Sequence, residues 1–336
     1  MEKDCFDRLP DALLLVIFNK VCDARSLTQC ISVSKRFASL VFEADTVFVS
    51  IPPAKRNSEA EDPSRRNLFK ILFSKFIAKP LLHFIAHRSI TTDRKIVSSC
   101  SPKEVLKHFK QVKTMHIELP SDSDKTGLEG SDSLLKWEAR FGSELKSIVI
   151  IGATSFQKKI QPLSSDKFSE SNGEVLTDNQ LKLRVVWTIC CLIAASTRHY
   201  LLKQLVLKEH HVLENIIASD VCKQGRVFMG KDEIDEMRSS VKSMATTESS
   251  SERSRVPDLS MKLWYVPVLD LPETGYIMRG ATLVVIRPKD HGQIGSGSEG
   301  GLFGFDGEEC EKKAFNEAVR EMVKMKKSYR MTMDSF

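Results

Sequence analysis

Seven successive apolar residues, Ala12-Leu13-Leu14-Leu15-Val16-Ile17-Phe18, follow directly on Leu9-Pro10-Asp11. Proline tolerates the first turn of a helix and aspartate suits its positive end, so a helix starts here. A helix of this composition is apolar on every side and has to be buried all round. A segment of about 40 residues rarely makes a core able to do that alone. Its own next two helices can cover one face. The other face asks for a second protein, because large exposed apolar patches mark interaction sites.

The run is followed by Ser26-Leu27-Thr28-Gln29-Cys30 and by Val33-Ser34-Lys35-Arg36-Phe37-Ala38-Ser39-Leu40. With Leu9-Pro10 and Ile17-Phe18, these residues resemble the F-box, the short helical module of ubiquitin-ligase adaptors. Many members carry tryptophan where this chain has Phe37, so an aromatic is kept. The resemblance implies docking onto a Skp adaptor, which joins a cullin scaffold and a ubiquitin-conjugating enzyme. The residues expected to grip Skp are Leu9, Pro10, Leu13, Ile17, Phe18, Leu27, Val33 and Phe37. Without the resemblance, the same stretch reads as an ordinary three-helix core.

Further strings carry the likeness along the chain: Leu-Lys-Leu-Arg-Val-Val-Trp-Thr-Ile from Leu181, Leu-Ile-Ala-Ala-Ser-Thr-Arg-His-Tyr-Leu-Leu from Leu192, Met-Lys-Leu-Trp-Tyr-Val-Pro from Met261 and Gly-Ala-Thr-Leu-Val-Val-Ile-Arg-Pro from Gly280. They resemble the plant auxin up-regulated F-box group. That likeness implies a non-catalytic substrate adaptor of an SCF-type ligase with a link to auxin response, although no residue here reports hormone chemistry.

The 336 residues are 28% charged and 41% hydrophobic, the profile of a soluble globular protein. No secretory signal pattern opens the chain, and no apolar run reaches the ~18 residues of a membrane span; the nearest, Ile71 to Ala86, is broken by Lys75, Lys79 and Pro80. The eight cysteines, at positions 5, 22, 30, 100, 190, 191, 222 and 310, contain no C-x-x-C pair. Reduced structural thiols in the cytoplasm or nucleus are expected, not a disulfide framework or zinc site. The net charge is +6, and the stretch between Asp62 and Asp93 has six positive residues and no acidic one.

The organisation expected is an F-box over 1–48, then a linker and basic amphipathic helix over 49–101. An α/β substrate-binding domain over 102–290, a Gly-rich flexible loop over 291–308, and a C-terminal helix with an edge strand over 309–336 complete it. In residues 68–86, Leu68, Phe69, Leu72, Phe73, Phe76 and Ile77 form an apolar stripe with Lys70, Lys75 and Lys79 off it. Such a helix can pack as a lid, meet an acidic partner or lie on a membrane surface. A Skp-binding protein working outside a ligase, at a membrane, is the alternative this leaves.

In the α/β part, strands are expected at 112–119, 145–152, 213–220, 261–269 and 282–286, with Pro-Glu-Thr-Gly as the turn before the last. Helices are expected at 102–110, 134–141, 181–209 and 309–327, and a Ser/Thr-rich loop at 239–255. Helix followed by Leu-x-x-hydrophobic-x-hydrophobic is the habit of leucine-rich repeats with parallel strands. The fold expected is therefore α/β: a three-helix F-box followed by a degenerate leucine-rich-repeat-like domain, the alternative being a non-repeating α/β domain.

Motifs that suggest chemistry are incomplete. Gly295-Ser296-Gly297-Ser298-Glu299-Gly300 spells a dinucleotide fingerprint but does not directly follow a strand. Gly225 to Asp232 falls one residue short of a P-loop, with Asp232 where a hydroxyl must meet magnesium. It reads better as a short strand, 227–229, with Asp232 capping a helix over 233–238. His83 and His87 lack a third ligand, as do His210 and His211. Cys190 and Cys191 have no cation beside them to favour a thiolate. No cofactor, metal or nucleic-acid partner is expected. The partners are Skp, cullin through it, and an unknown protein substrate.

Overall fold

A computed structural model describes residues 5–51, 106–120, 133–159, 176–205, 210–245, 258–289, 304–305 and 307–333. The linker beyond residue 51, the basic amphipathic segment over 68–86, His83 and His87, and most of the Gly-rich loop lie outside the described residues. Two compact units emerge. The first groups Met1–Ser121, Ser196–Val221 and Val227–Glu248; the second groups Asp122–Ala195, Cys222–Arg226 and Ser249–Phe336.

The first unit begins with a 3-10 turn, Cys5–Arg8, and three short helices: α1 (Asp11–Val21), α2 (Ala24–Ile31) and α3 (Lys35–Phe42). Each boundary has a local cause. The Pro10 carbonyl accepts from the Leu13 and Leu14 amides at 3.0 and 3.2 Å, opening α1. Cys22 ends it in the left-handed region at φ 42°. Asp23 caps α2 by accepting from the Ser26 amide at 2.9 Å, and Ser34 caps α3 by accepting from the Phe37 amide at 3.1 Å.

Behind the helices run β1 (Thr46–Ser50), β2 (Thr114–Leu119) and β6 (Asn215–Asp220), parallel and adjacent in that order. Their alternating burial marks one face turned to a core. The helices are joined to this sheet directly. The Phe48 amide donates to the Cys22 carbonyl at 2.7 Å, and the Asp45 amide to Asn19 Oδ1 at 2.8 Å. Leu14, Ala24, Leu27, Val41 and Val47 are buried. Leu27→Ala is therefore expected to cost about 2–5 kcal/mol, read as a lowered midpoint in chemical denaturation. An unchanged midpoint would show that this core does not hold the helices.

The second unit carries an antiparallel sheet in the order β3-β4-β9-β8-β10. Its strands are β3 (Leu134–Phe141), β4 (Leu145–Ala153), β8 (Leu259–Leu271), β9 (Tyr276–Pro288) and β10 (Tyr329–Met333), with β5 (Ser155–Lys158) beside β9. The last helix, here α6 (Glu309–Val323), lays Phe315, Ala318, Val319 and Met322 against Trp264, Leu283 and Val285. A turn at 272–275 joins β8 to β9, with Gly275 at φ +73°, where other residues are strained. Buried Glu317 on α6 holds that turn. Its carboxylate accepts from the Glu273 amide at 2.8 Å, the Thr274 amide at 3.0 Å and the Thr274 hydroxyl at 2.6 Å.

Four expectations need correction. Residues 134–141 form strand β3 and not a helix. The spacing of Trp137 and Phe141 suits a helix, but the segment pairs antiparallel with β4 along its length, from Leu134 opposite Ala153 to Phe141 opposite Leu145. Parallel stacking of the repeat kind covers only β1, β2 and β6; the second unit's strands are antiparallel, so the α/β architecture is mixed and not a uniform solenoid. The helix near 233 runs from Lys231 to Ala245 (here α5), which makes 239–245 helical. Ser239 and Ser240 stay within it by donating back to the Asp235 and Met237 carbonyls at 2.8 and 3.0 Å. Its start is held by Glu233, whose Oε2 accepts from the Gly230 amide at 3.0 Å, and Asp232 lies in its first turn.

Helix α4 (Asp178–Leu205) also departs from expectation, being long and apolar enough to span a membrane by length and composition. It nevertheless carries buried polar contacts of a core helix. In the second unit Arg184 Nε donates to Thr282 Oγ1 at 3.0 Å, and the guanidinium stacks over Tyr265. Burial lowers the pKa of Arg184. In the first unit Arg198 pairs with Asp220 at 2.6 Å, both largely buried.

Candidate docking surface on the N-terminal helices

The three helices sort the apolar residues by face. On α1, Leu14 and Phe18 stand four apart and turn inward. Leu13, Ile17 and Val21 repeat at the same spacing on another side and stay 51%, 40% and 41% exposed, with Val16 at 53% beside them. Val33, between α2 and α3, is 68% exposed. Among the described residues nothing covers this stripe of large aliphatic side chains.

The approach to the stripe is fixed by Arg36 on α3. Its Nε donates to Asp11 Oδ1 at 2.8 Å, Nη1 to the Phe6 carbonyl at 3.1 Å, and Nη2 to the Leu9 carbonyl. One guanidinium fork therefore clasps the first turn of α1 and the segment before it. Phe37 stands edge-on between two rings, Phe6 at 5.7 Å and Phe18 at 5.4 Å. Asp11 opens α1 and Lys20 lies in its last turn, each suited to its end of the dipole.

The expected grip residues separate accordingly. Pro10, Leu13, Ile17 and Val33 lie at the surface, and Leu9 and Phe37 are half-buried. Phe18 and Leu27 are within the protein and pack the helices together from inside. The sequence reading did not single out Val16, Val21 or Arg36. The first two were legible as neighbours of the Leu13–Ile17 spacing. Arg36 stands in the string that carries the F-box likeness, but its clasp had no local signal, because its partners are 25 to 30 residues away.

The motifs resembling active sites have structural explanations. Gly225 opens β7 (Gly225–Met229), and a Cβ there would come within 1.9 Å of the Trp137 ring. That glycine admits an indole; the segment is a strand leading into α5, with no loop to cradle phosphate. His210 is buried, its Nδ1 3.0 Å from the Phe109 carbonyl. Burial pushes the Cys190 thiol pKa up, away from a nucleophile's needs. Among the described residues, no group of three His, Cys, Asp or Glu side chains could hold a metal.

A short three-helix module with an aliphatic stripe turned outward heads a mixed α/β chain. Known proteins give its family. The chain is 38% identical over 335 residues to F-box protein At4g18380 of Arabidopsis thaliana, covering 86% of this chain and 84% of that protein. It is 34% identical over 342 residues to F-box protein AUF2, and 32% over 351 residues to F-box protein AUF1, both of Arabidopsis thaliana; each match covers 99% of this chain and all of the relative. The chain belongs to the F-box proteins, and the likeness to the auxin up-regulated group runs along nearly its whole length. No family model and no solved structure matches it.

Proposed function

We propose that this chain is the substrate-recognition subunit of an SCF-type cullin ubiquitin ligase, docking on a Skp adaptor through α1 and the α2–α3 connection. The observation that carries the reading is the exposed stripe of Leu13, Val16, Ile17 and Val21 beside the clasped Leu9-Pro10 turn. Covering the exposed half of each such side chain against a partner is worth about 1 kcal/mol. The F-box names of the relatives support the same reading.

The role needs no chemistry in this chain. A captured protein held near a charged conjugating enzyme has its lysines at high effective concentration, and that proximity is the catalytic contribution. The α/β remainder presents the substrate, in the cytoplasm or nucleus, and the AUF relatives make plant auxin response the setting to examine first. Co-expression with a plant Skp protein tests the docking. A single one-to-one peak in size exclusion is expected, and two separate peaks would reject it.

A further inference from the structure

We infer that the free edge of β10 binds an extended acidic peptide segment of a partner protein by strand addition. Strand β10 pairs only with β8 among the described strands, from Tyr329 opposite Leu263 to Met333 opposite Leu259, and ends its sheet's order. In an antiparallel ladder, alternate residues turn their N–H and C=O groups away from the paired neighbour. Those groups on β10 form a row ready for another strand. Tyr329, Arg330, Met331 and Thr332 are all exposed, so side chains on both faces remain accessible. The first unit treats its edge differently: the outer side of β1 is met at Phe48 by the backbone of Cys22 and Asp23.

Charge names the occupant. No acidic residue lies between Glu321 and Asp334, while Lys324, Lys326, Lys327 and Arg330 do. Glu321 engages Lys324 at 2.7 Å. Lys326, Lys327 and Arg330 make no ion pair among the described residues. Along the strand, Tyr329 and Met331 share one face and Arg330 and Thr332 the other. An added strand would place apolar side chains beside Tyr329 and Met331 and a carboxylate beside Arg330. The matching peptide alternates acidic and apolar residues, main-chain bonds supplying affinity and the alternation supplying selectivity. This deepens the adaptor reading, since the captured segment belongs to a recruited protein, but its test does not use the adaptor.

The probes are fluorescein-labelled peptides of equal length added to the full chain: one alternating Glu and Val, one alternating Lys and Val, one alternating Glu and Pro. Anisotropy is expected to show the Glu-Val peptide binding at least about tenfold tighter than either of the others. Hydrogen exchange should slow at the outward amides of residues 329–333 when it binds. Lys327→Glu with Arg330→Glu should weaken it about tenfold or more and leave co-elution with Skp unchanged. Equal binding of the Glu-Pro peptide would reduce the effect to charge alone and overturn strand addition. No binding of Glu-Val would overturn the proposal and leave the basic residues as guards that keep the edge bare; the Skp result would then still stand or fall on its own.

Discussion

Leu13→Glu combined with Ile17→Glu is expected to abolish Skp binding while the protein stays folded. Both side chains are only about half covered among the described residues and neither fills the core, so replacing them should cost no more than about 1 kcal/mol each. In the complex the substitution removes two buried aliphatic groups and puts two carboxylates in their place. With about half of each side chain still to be covered, the lost burial is worth about 1.5–3 kcal/mol for the pair, and desolvating two carboxylates adds several kcal/mol more. Affinity should therefore fall by about three orders of magnitude or more, measured by titration calorimetry against a plant Skp protein. An unchanged melting curve must accompany it. Wild-type affinity in the double variant would remove α1 from the interface. Phe18→Glu would be uninformative as a binding test, because that ring is inside the module and its loss would unfold the helices.

Glu317→Ala is expected to be among the most damaging single changes in the second unit. The carboxylate is 1% exposed and accepts three hydrogen bonds from Glu273 and Thr274. Its removal strands donors in a turn whose Gly275 already occupies the left-handed region. Arg320 one turn along α6 also bonds Glu273, so the helix and the β8–β9 turn are held at two points. Loss of the carboxylate should cost about 2–4 kcal/mol, since bonds to charged acceptors are the stronger kind and buried donors need partners. Glu317→Gln keeps the volume and one oxygen, and should lose about half as much. Scanning calorimetry checks both. A melting temperature unchanged in the alanine variant would mean that water replaces the carboxylate at no cost.

Where local pattern and tertiary environment agreed, the chain could be read directly. Leu9-Pro10-Asp11 marks the start of α1, Pro-Glu-Thr-Gly the turn at 272–275, and the alternation from Tyr329 to Met333 the edge strand. Strand β3 is not legible because positions 137 and 141 satisfy both periods, and the deciding feature, its pairing with β4, has no local signal. The segment from Gly225 to Asp232 looked like a phosphate loop because a glycine needed for tryptophan packing and one preceding a helix fell at that motif's spacing. For the docking surface, the residue types were legible but their faces were not. Phe18 and Leu13 look alike in the string, and only the positions of α2 and α3 decide which one remains in water.

The carbonyl of Cys22 receives the Phe48 amide, and Asn19 receives that of Asp45. Helix α1 is therefore not a handle on a tether. Whatever grips its outer face also aims β1 and, through their ladder, β2, because no pivot lies between them. Reach in such a subunit is a matter of bearing and not of slack: a cargo site continuous with that sheet would be pointed along one heading. Lengthening the Glu43–Asp45 connection by a few flexible residues would replace that heading with a cone.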